Sequence, residues 1–152
     1  MDKPKFVYVS YIGTTPEKIW DALINPEMTR QYWMNNINVS DWKVGSRWEH
    51  RDSGNPATLR IVGKIIECKP PQRLVISWVP PADEGKEETS RVTFDIEPFK
   101  EGVVRLTVTH DELEPDSEMF HSVSFGWPAV ISALKTLLET GKIGTMAAQK
   151  RS

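Results

Sequence analysis

Near the end of the chain, Val123, Trp127, Val130, Ile131, Leu134, Leu137 and Leu138 recur at i, i+4, i+7 and i+8 spacing. That period marks one long helix with a continuous apolar stripe. The stretch before it, from about residue 36 to 111, alternates instead at strand spacing. In 90–97, Val92, Phe94 and Ile96 face away from Arg91, Thr93, Asp95 and Glu97. In 103–111, Val104, Leu106, Val108 and His110 share one face. One-sided alternation belongs to an antiparallel sheet with a single covered face. A lone long helix and a one-faced sheet must bury their apolar surfaces on each other. This pairing restricts the chain to an α+β architecture.

The front of the chain adds three elements. Residues 6–12, Phe-Val-Tyr-Val-Ser-Tyr-Ile, read as a strand. A helix then starts either with a Thr14–Glu17 capping box or with Thr15 before Pro16 at the first helical position. Ile19, Trp20 and Leu23 supply its apolar face, and Asn25-Pro26 ends it. Asn25 can cap a second short helix reaching Tyr32-Trp33. The expected order is a strand, two short helices, about six strands and the long helix. Trp48 and His50 share a face of one strand. Further strands are expected over 58–68 and 73–79. Asp116 or Ser117 can cap the final helix and Gly141 suits its exit. Pro128 implies a kink there, or a helix that begins near Gly126-Trp127. The chain, 1–152, reads as one domain with an ordered core over about 6–141 and a frayed tail over 142–152.

Composition excludes several classes of function. A net charge of −2 argues against a broad basic face for nucleic acid. No apolar run approaches the ~18 residues of a membrane span, and Met1–Lys5 does not read as a signal peptide. The single Cys68 cannot form an internal disulfide, which fits a reducing, cytoplasmic setting. Phosphate-binding Gly-rich loops and the Gly-x-Ser-x-Gly elbow are absent. His50, His110, His121 and Cys68 lack the paired spacing of a zinc site, so no metal and no cofactor are expected. Cys68 reads as a structural thiol and His121 as solvated. The alternation turns Asp95 and Glu97 outward, away from any shared cleft.

Six tryptophans are the strongest chemical signal. Large rings carrying a polar N–H are awkward to bury fully, and each one taken singly reads as core packing. Trp20 suits the short-helix core and Trp42 a loop anchor. Trp33, Trp48, Trp78 and Trp127 can instead wall a cavity that stacks on a flat apolar ligand. His110 closes an inward-facing row, where a neutral imidazole at the rim could bond a ligand or act as acid or base. Its plain alternative is a strand-end histidine bonded to backbone or water.

The segment Thr15-Pro-Glu-Lys-Ile-Trp-Asp-Ala-Leu-Ile-Asn-Pro-Glu27, continuing to Tyr32-Trp33, resembles the opening helix pair of a known family. That family is named after the activator of the heat-shock-protein-ninety ATPase and belongs to the START-like (SRPBCC, birch-pollen-allergen-like) helix-grip superfamily. Trp42-Lys-Val-Gly-Ser46, Gly63-Lys-Ile-Ile-Glu67 with Pro70-Pro71, and Arg73-Leu-Val-Ile-Ser-Trp78 continue the likeness in order. So do Val92-Thr-Phe94, Leu106-Thr-Val-Thr-His110, Gly126-Trp127 and Leu138-Glu-Thr-Gly141. The resemblance implies about seven antiparallel strands gripping the C-terminal helix around a hydrophobic cavity. The expected function is non-catalytic binding of a small hydrophobic or aromatic molecule, lipid-, polyketide- or phenolic-like. Trp33, Trp48, Trp78, Phe94, Leu106, His110 and Trp127 are its expected contacts, under the terminal helix as lid. The alternatives are a cyclase- or hydrolase-type enzyme using His110, or a module that partners a chaperone.

Overall fold

Two prolines and an asparagine set the geometry of the front half. In the computed structural model, which describes residues 3–86 and 88–142, strand β1 (Phe6–Ile12) leads into helix α1 (Pro16–Ile24). Of the two candidate caps, Thr15 is the one used. Its hydroxyl accepts from the Lys18 N–H at 3.3 Å, and Pro16 takes the first helical position, where its missing N–H costs nothing. Asn25 serves twice. Its N–H donates to the Asp21 carbonyl to finish α1, and its side chain accepts from the Glu27 N–H at 3.0 Å to start α2 (Pro26–Tyr32). The buried Tyr32 hydroxyl donates to the Ala22 carbonyl at 2.7 Å and ties the helix pair together.

Strands β2 (Asn36–Val39), β3 (Arg47–Asp52), β4 (Leu59–Lys69) and β5 (Arg73–Trp78) follow. A single 3-10 turn at Pro81–Asp83 precedes β6 (Ser90–Lys100) and β7 (Val103–Asp111). The sheet runs β1-β7-β6-β5-β4-β3-β2, antiparallel throughout. The first strand therefore pairs with the last, Phe6 opposite His110 and Ile12 opposite Val104. Outward-facing charges pair across strands: Arg73 with Asp95 at 2.7 Å, Arg91 with Asp111 at 2.7 Å and Arg105 with Glu97 at 2.9 Å. Such exposed pairs contribute about 0–1 kcal/mol each, and they account for Asp95 and Glu97 without a catalytic role.

Helix α3 (Glu118–Thr140) lies in the concave face of the sheet. Ser117 caps it, its hydroxyl accepting from the Phe120 N–H at 3.0 Å. Gly141 ends it at φ +77°, and its N–H donates to the Leu137 carbonyl at 2.7 Å. A start near Gly126 is not what the chain adopts, because the helix runs through Pro128 from eight residues upstream of Gly126. An internal proline costs about 3 kcal/mol or more. Burial of Val123 and Trp127 in the early turns offsets this, each worth roughly 1.5–3 kcal/mol. At the far end the helix covers the free edge of β1: Lys135 Nζ donates to the Tyr11 carbonyl and Glu139 accepts from the Gly13 N–H. Trp20 belongs to the core and Trp42 packs against its margin, as expected of scaffold residues. The expected tail, 142–152, lies outside the described residues except for Lys142. No described helix is long and apolar enough to cross a membrane.

Candidate functional site

The concave face carries an aromatic cluster assembled from five elements. Trp33 closes α2, Trp48 and His50 sit on β3, Trp78 ends β5, His110 nears the end of β7, and Trp127 projects from α3. Their rings meet with centroids 4.9 Å apart for Trp33–His50, 5.4 Å for Trp33–Trp127 and 5.5 Å for Trp48–Trp78 and Trp78–Trp127. Trp78 is the hub, with His110 edge-on at 5.3 Å. Phe94 on β6 meets Trp127 edge-on at 5.8 Å, while Leu106 lies in the same core without joining the ring network. All seven sequence-predicted positions are thus buried in one core. His110 sits inside it, 0% exposed, and not at a rim.

The polar groups of this cluster form a chain of defined direction. An indole N–H can only donate, so the 3.1 Å contact from Trp127 Nε1 makes His110 Nδ1 the acceptor. The imidazole proton then lies on Nε2 and donates to Ser90 Oγ at 2.9 Å. The Ser90 hydroxyl in turn donates to the Trp78 carbonyl at 2.7 Å. Both nitrogens of His110 are therefore occupied by neutral partners. Neither of these partners is a carboxylate. Burial pushes His110 down to about 4, an effect the nearby Asp111 charge partly opposes.

His50 is held differently. Asn38 turns its amide N–H toward the Leu23 carbonyl at 3.5 Å, leaving Oδ1 to accept from His50 Nδ1 at 2.6 Å. Nε2 then carries a lone pair, with no hydrogen-bond partner among the described residues. Burial, with a smaller contribution from the Arg60 charge, pushes His50 down to about 3. Trp48 Nε1 donates to the Ser77 carbonyl at 2.8 Å. Trp78 Nε1 is buried without a partner among the described residues.

A cleft of about 180 Å³ reaches this cluster from one end of the sheet, between the segment after β5, the start of β6 and the β7–α3 connection. Trp78, Ser90 and Leu113 lie in its wall. Lys3 spans the rim, with its Nζ 3.0 Å from Glu114 and 3.6 Å from Glu88. Sequence reasoning missed Ser90, Asn38 and Lys3. Each is an ordinary polar residue 12 or more positions from its partner in the chain, so no local pattern marks it. His121 is exposed and bonded to Asp116 at 2.7 Å beside the start of α3. Burial raises the Cys68 thiol pKa, consistent with an unreactive thiol. Among the described residues, no three His, Cys, Asp or Glu side chains gather to hold a metal ion.

A curved seven-stranded sheet closed on a long C-terminal helix, with the helix pair after β1, defines a START-like helix-grip domain. Solved structures of the same shape include an HSP90 activator from Plasmodium falciparum, 18% identical at a TM-score of 0.73. That match covers 88% of this chain and 95% of the other. Protein MLL2253 from Mesorhizobium loti is 23% identical at 0.74, covering 92% and 100%. The Aha1 dimer from Colwellia psychrerythraea is 19% identical at 0.72, covering 91% and 98%. No curated protein matches the chain significantly. Residues 13–139 match the family described as "Activator of Hsp90 ATPase homolog 1-like protein", and the chain belongs to that family.

Proposed function

We propose that the protein is a cytoplasmic, non-catalytic binder of a small hydrophobic or aromatic molecule. The observation that carries this reading is the cleft whose wall includes Trp78 and Ser90, two members of the buried aromatic and hydrogen-bonded cluster. A small ligand in the cleft rests against the edge of the cluster and gains stacking area as the Trp78 and Trp127 rings part. A space of about 150 Å³ holds a benzene-sized guest, so the cleft suits a one- or two-ring molecule. Trp33, Trp48, Phe94, Leu106 and His110 form the apolar support behind these rings, and α3 closes over them as lid. Titration with two-ring aromatics, followed by tryptophan fluorescence and by amide shifts around Trp78, Ser90 and Leu113, is expected to saturate with a Kd in the micromolar range, about −8 kcal/mol. Absence of saturable shifts at these positions would remove the reading.

A second reading, a chaperone-facing module, draws on the family and on one surface. Val7, Val9 and Tyr11 on the outer face of β1 are exposed, with Phe99 packed against Tyr11 at 4.8 Å. This row is an apolar patch of the kind used for protein contact. If the row engages Hsp90, the purified chain stimulates the ATPase of that chaperone and Val9→Glu abolishes the stimulation. An unchanged ATPase rate excludes it.

A further inference from the structure

One side chain ties the two walls of the cleft beside Trp78 together at its mouth. Lys3 Nζ lies 3.0 Å from Glu114 Oε1 and 3.6 Å from Glu88 Oε2. Glu114 belongs to the β7–α3 connection and Glu88 to the segment that leads into β6, so the two carboxylates stand on different walls. The register of β1 on β7, Phe6 opposite His110, brings Lys3 to this end of the sheet. Its side chain is 26% exposed, against 78% for Glu88 and 62% for Glu114. A lysine so placed lays its methylene stem over apolar surface and keeps its ammonium near water. The wall it shares includes Trp78, Leu113 and Met119. The hydrogen bond to Glu114 raises the Lys3 pKa, so the ammonium stays charged at neutral pH. Lys86, also in the wall, pairs within its own turn with Asp83 at 2.7 Å and does not cross the mouth in that pair.

We propose that Lys3 is a latch across the mouth of the cleft, which must release Glu114 and Glu88 before a ligand enters or leaves. The inference rests on the ligand-binding reading above and adds a control of access to it. Both carboxylates are solvent-exposed, so each pair is weak and is screened by salt. A latch of that strength opens often and recloses over an occupied cleft. It slows entry and exit together and leaves the affinity nearly unchanged. A lysine that held the bound ligand would behave differently, because its loss would speed exit alone and weaken binding.

Stopped-flow tryptophan fluorescence of the full chain, with uncharged 2-naphthol as the probe, measures the association and dissociation rates. At low salt, Lys3→Gln is expected to raise both rates about three- to tenfold, with Kd within about twofold of wild type. Raising the salt to about 0.5 M should speed both wild-type rates by a similar factor and leave those of Lys3→Gln nearly unchanged. Lys3→Arg keeps the pairs and should keep the wild-type rates. Lys64→Gln, the same charge change at an exposed position of β4 outside the cleft, is the control and should also match wild type. Equal rates for Lys3→Gln and wild type overturn the latch and leave the binding function standing. A Kd weakened about threefold or more at an unchanged association rate also overturns it, because Lys3 is then a ligand contact. Binding by Lys3→Gln but not by wild type supports both readings. If neither binds 2-naphthol, the binding reading falls and the latch falls with it.

Discussion

Replacing Gly63 by alanine is expected to destabilise the protein by about 3–5 kcal/mol, more than core overpacking usually costs. An added Cβ would stand 1.9 Å from the Ser77 carbonyl oxygen and 2.5 Å from Trp48 Nε1. Those two atoms are themselves joined by the 2.8 Å bond from the Trp48 indole. Neither is the free end of a flexible side chain. The methyl can be admitted only by separating β4 from β5 or by expelling the fully buried Trp48. For a chain of this length the melting temperature should fall by roughly 10 °C or more. Gly126→Ala is the control: its added methyl meets nothing within 4 Å, and it lies within α3. Alanine there should be neutral or stabilising by up to about 1 kcal/mol. Thermal melts of the two variants within 2 °C of each other would contradict the close approach at Gly63.

Stability is expected to fall steeply as pH drops from 6.5 toward 4.5, the upper part of that window lying above the range where carboxylates titrate. His50 and His110 are pushed down to about 3 and about 4 from an ordinary 6.5. Between those values and 6.5 the unfolded chain binds protons that the folded chain refuses, so acid favours unfolding. The contribution is intact above pH 6.5 and is lost progressively as pH falls through the folded values. Each pH unit of difference is worth about 1.4 kcal/mol per group. The two histidines together remove on the order of 5 kcal/mol by pH 4.5, a large share of an ordinary domain's stability of about 5–15 kcal/mol. Urea unfolding at pH 7.5, 5.5 and 4.5 measures it. Equal midpoints at pH 7.5 and 5.5 would mean that both rings are reachable by protons in the folded state.

Most of the fold could be read locally. The capping residues Thr15, Asn25, Ser117 and Gly141 act within a turn of their own positions, so residue type and spacing narrow each cap to one or two adjacent residues, and the structure selects Thr15 over Thr14 and Ser117 over Asp116. The inward rows of β6 and β7 are likewise legible, because alternation is a property of the chain itself. Pro128 misleads for the same reason. Its local penalty is visible, whereas the burial of Val123 and Trp127 that offsets it depends on a sheet formed by distant residues.

The candidate site divides along the same line. The alternation and helical periods already assign Trp48, Trp78, His110 and Trp127 to inward faces, and the close of the second short helix adds Trp33. The sequence by itself therefore determined the fold class and the residues that turn inward. Only the tertiary structure decided their relations: that β1 pairs with β7, that His110 is closed between Trp127 and Ser90, and that the Trp78 N–H is left without a partner among the described residues. Periodicity specifies which side of an element a side chain occupies. Hydrogen bonding between atoms 12 to 20 residues apart in the chain depends on strand register and helix docking, which form only when the whole sheet closes on its helix.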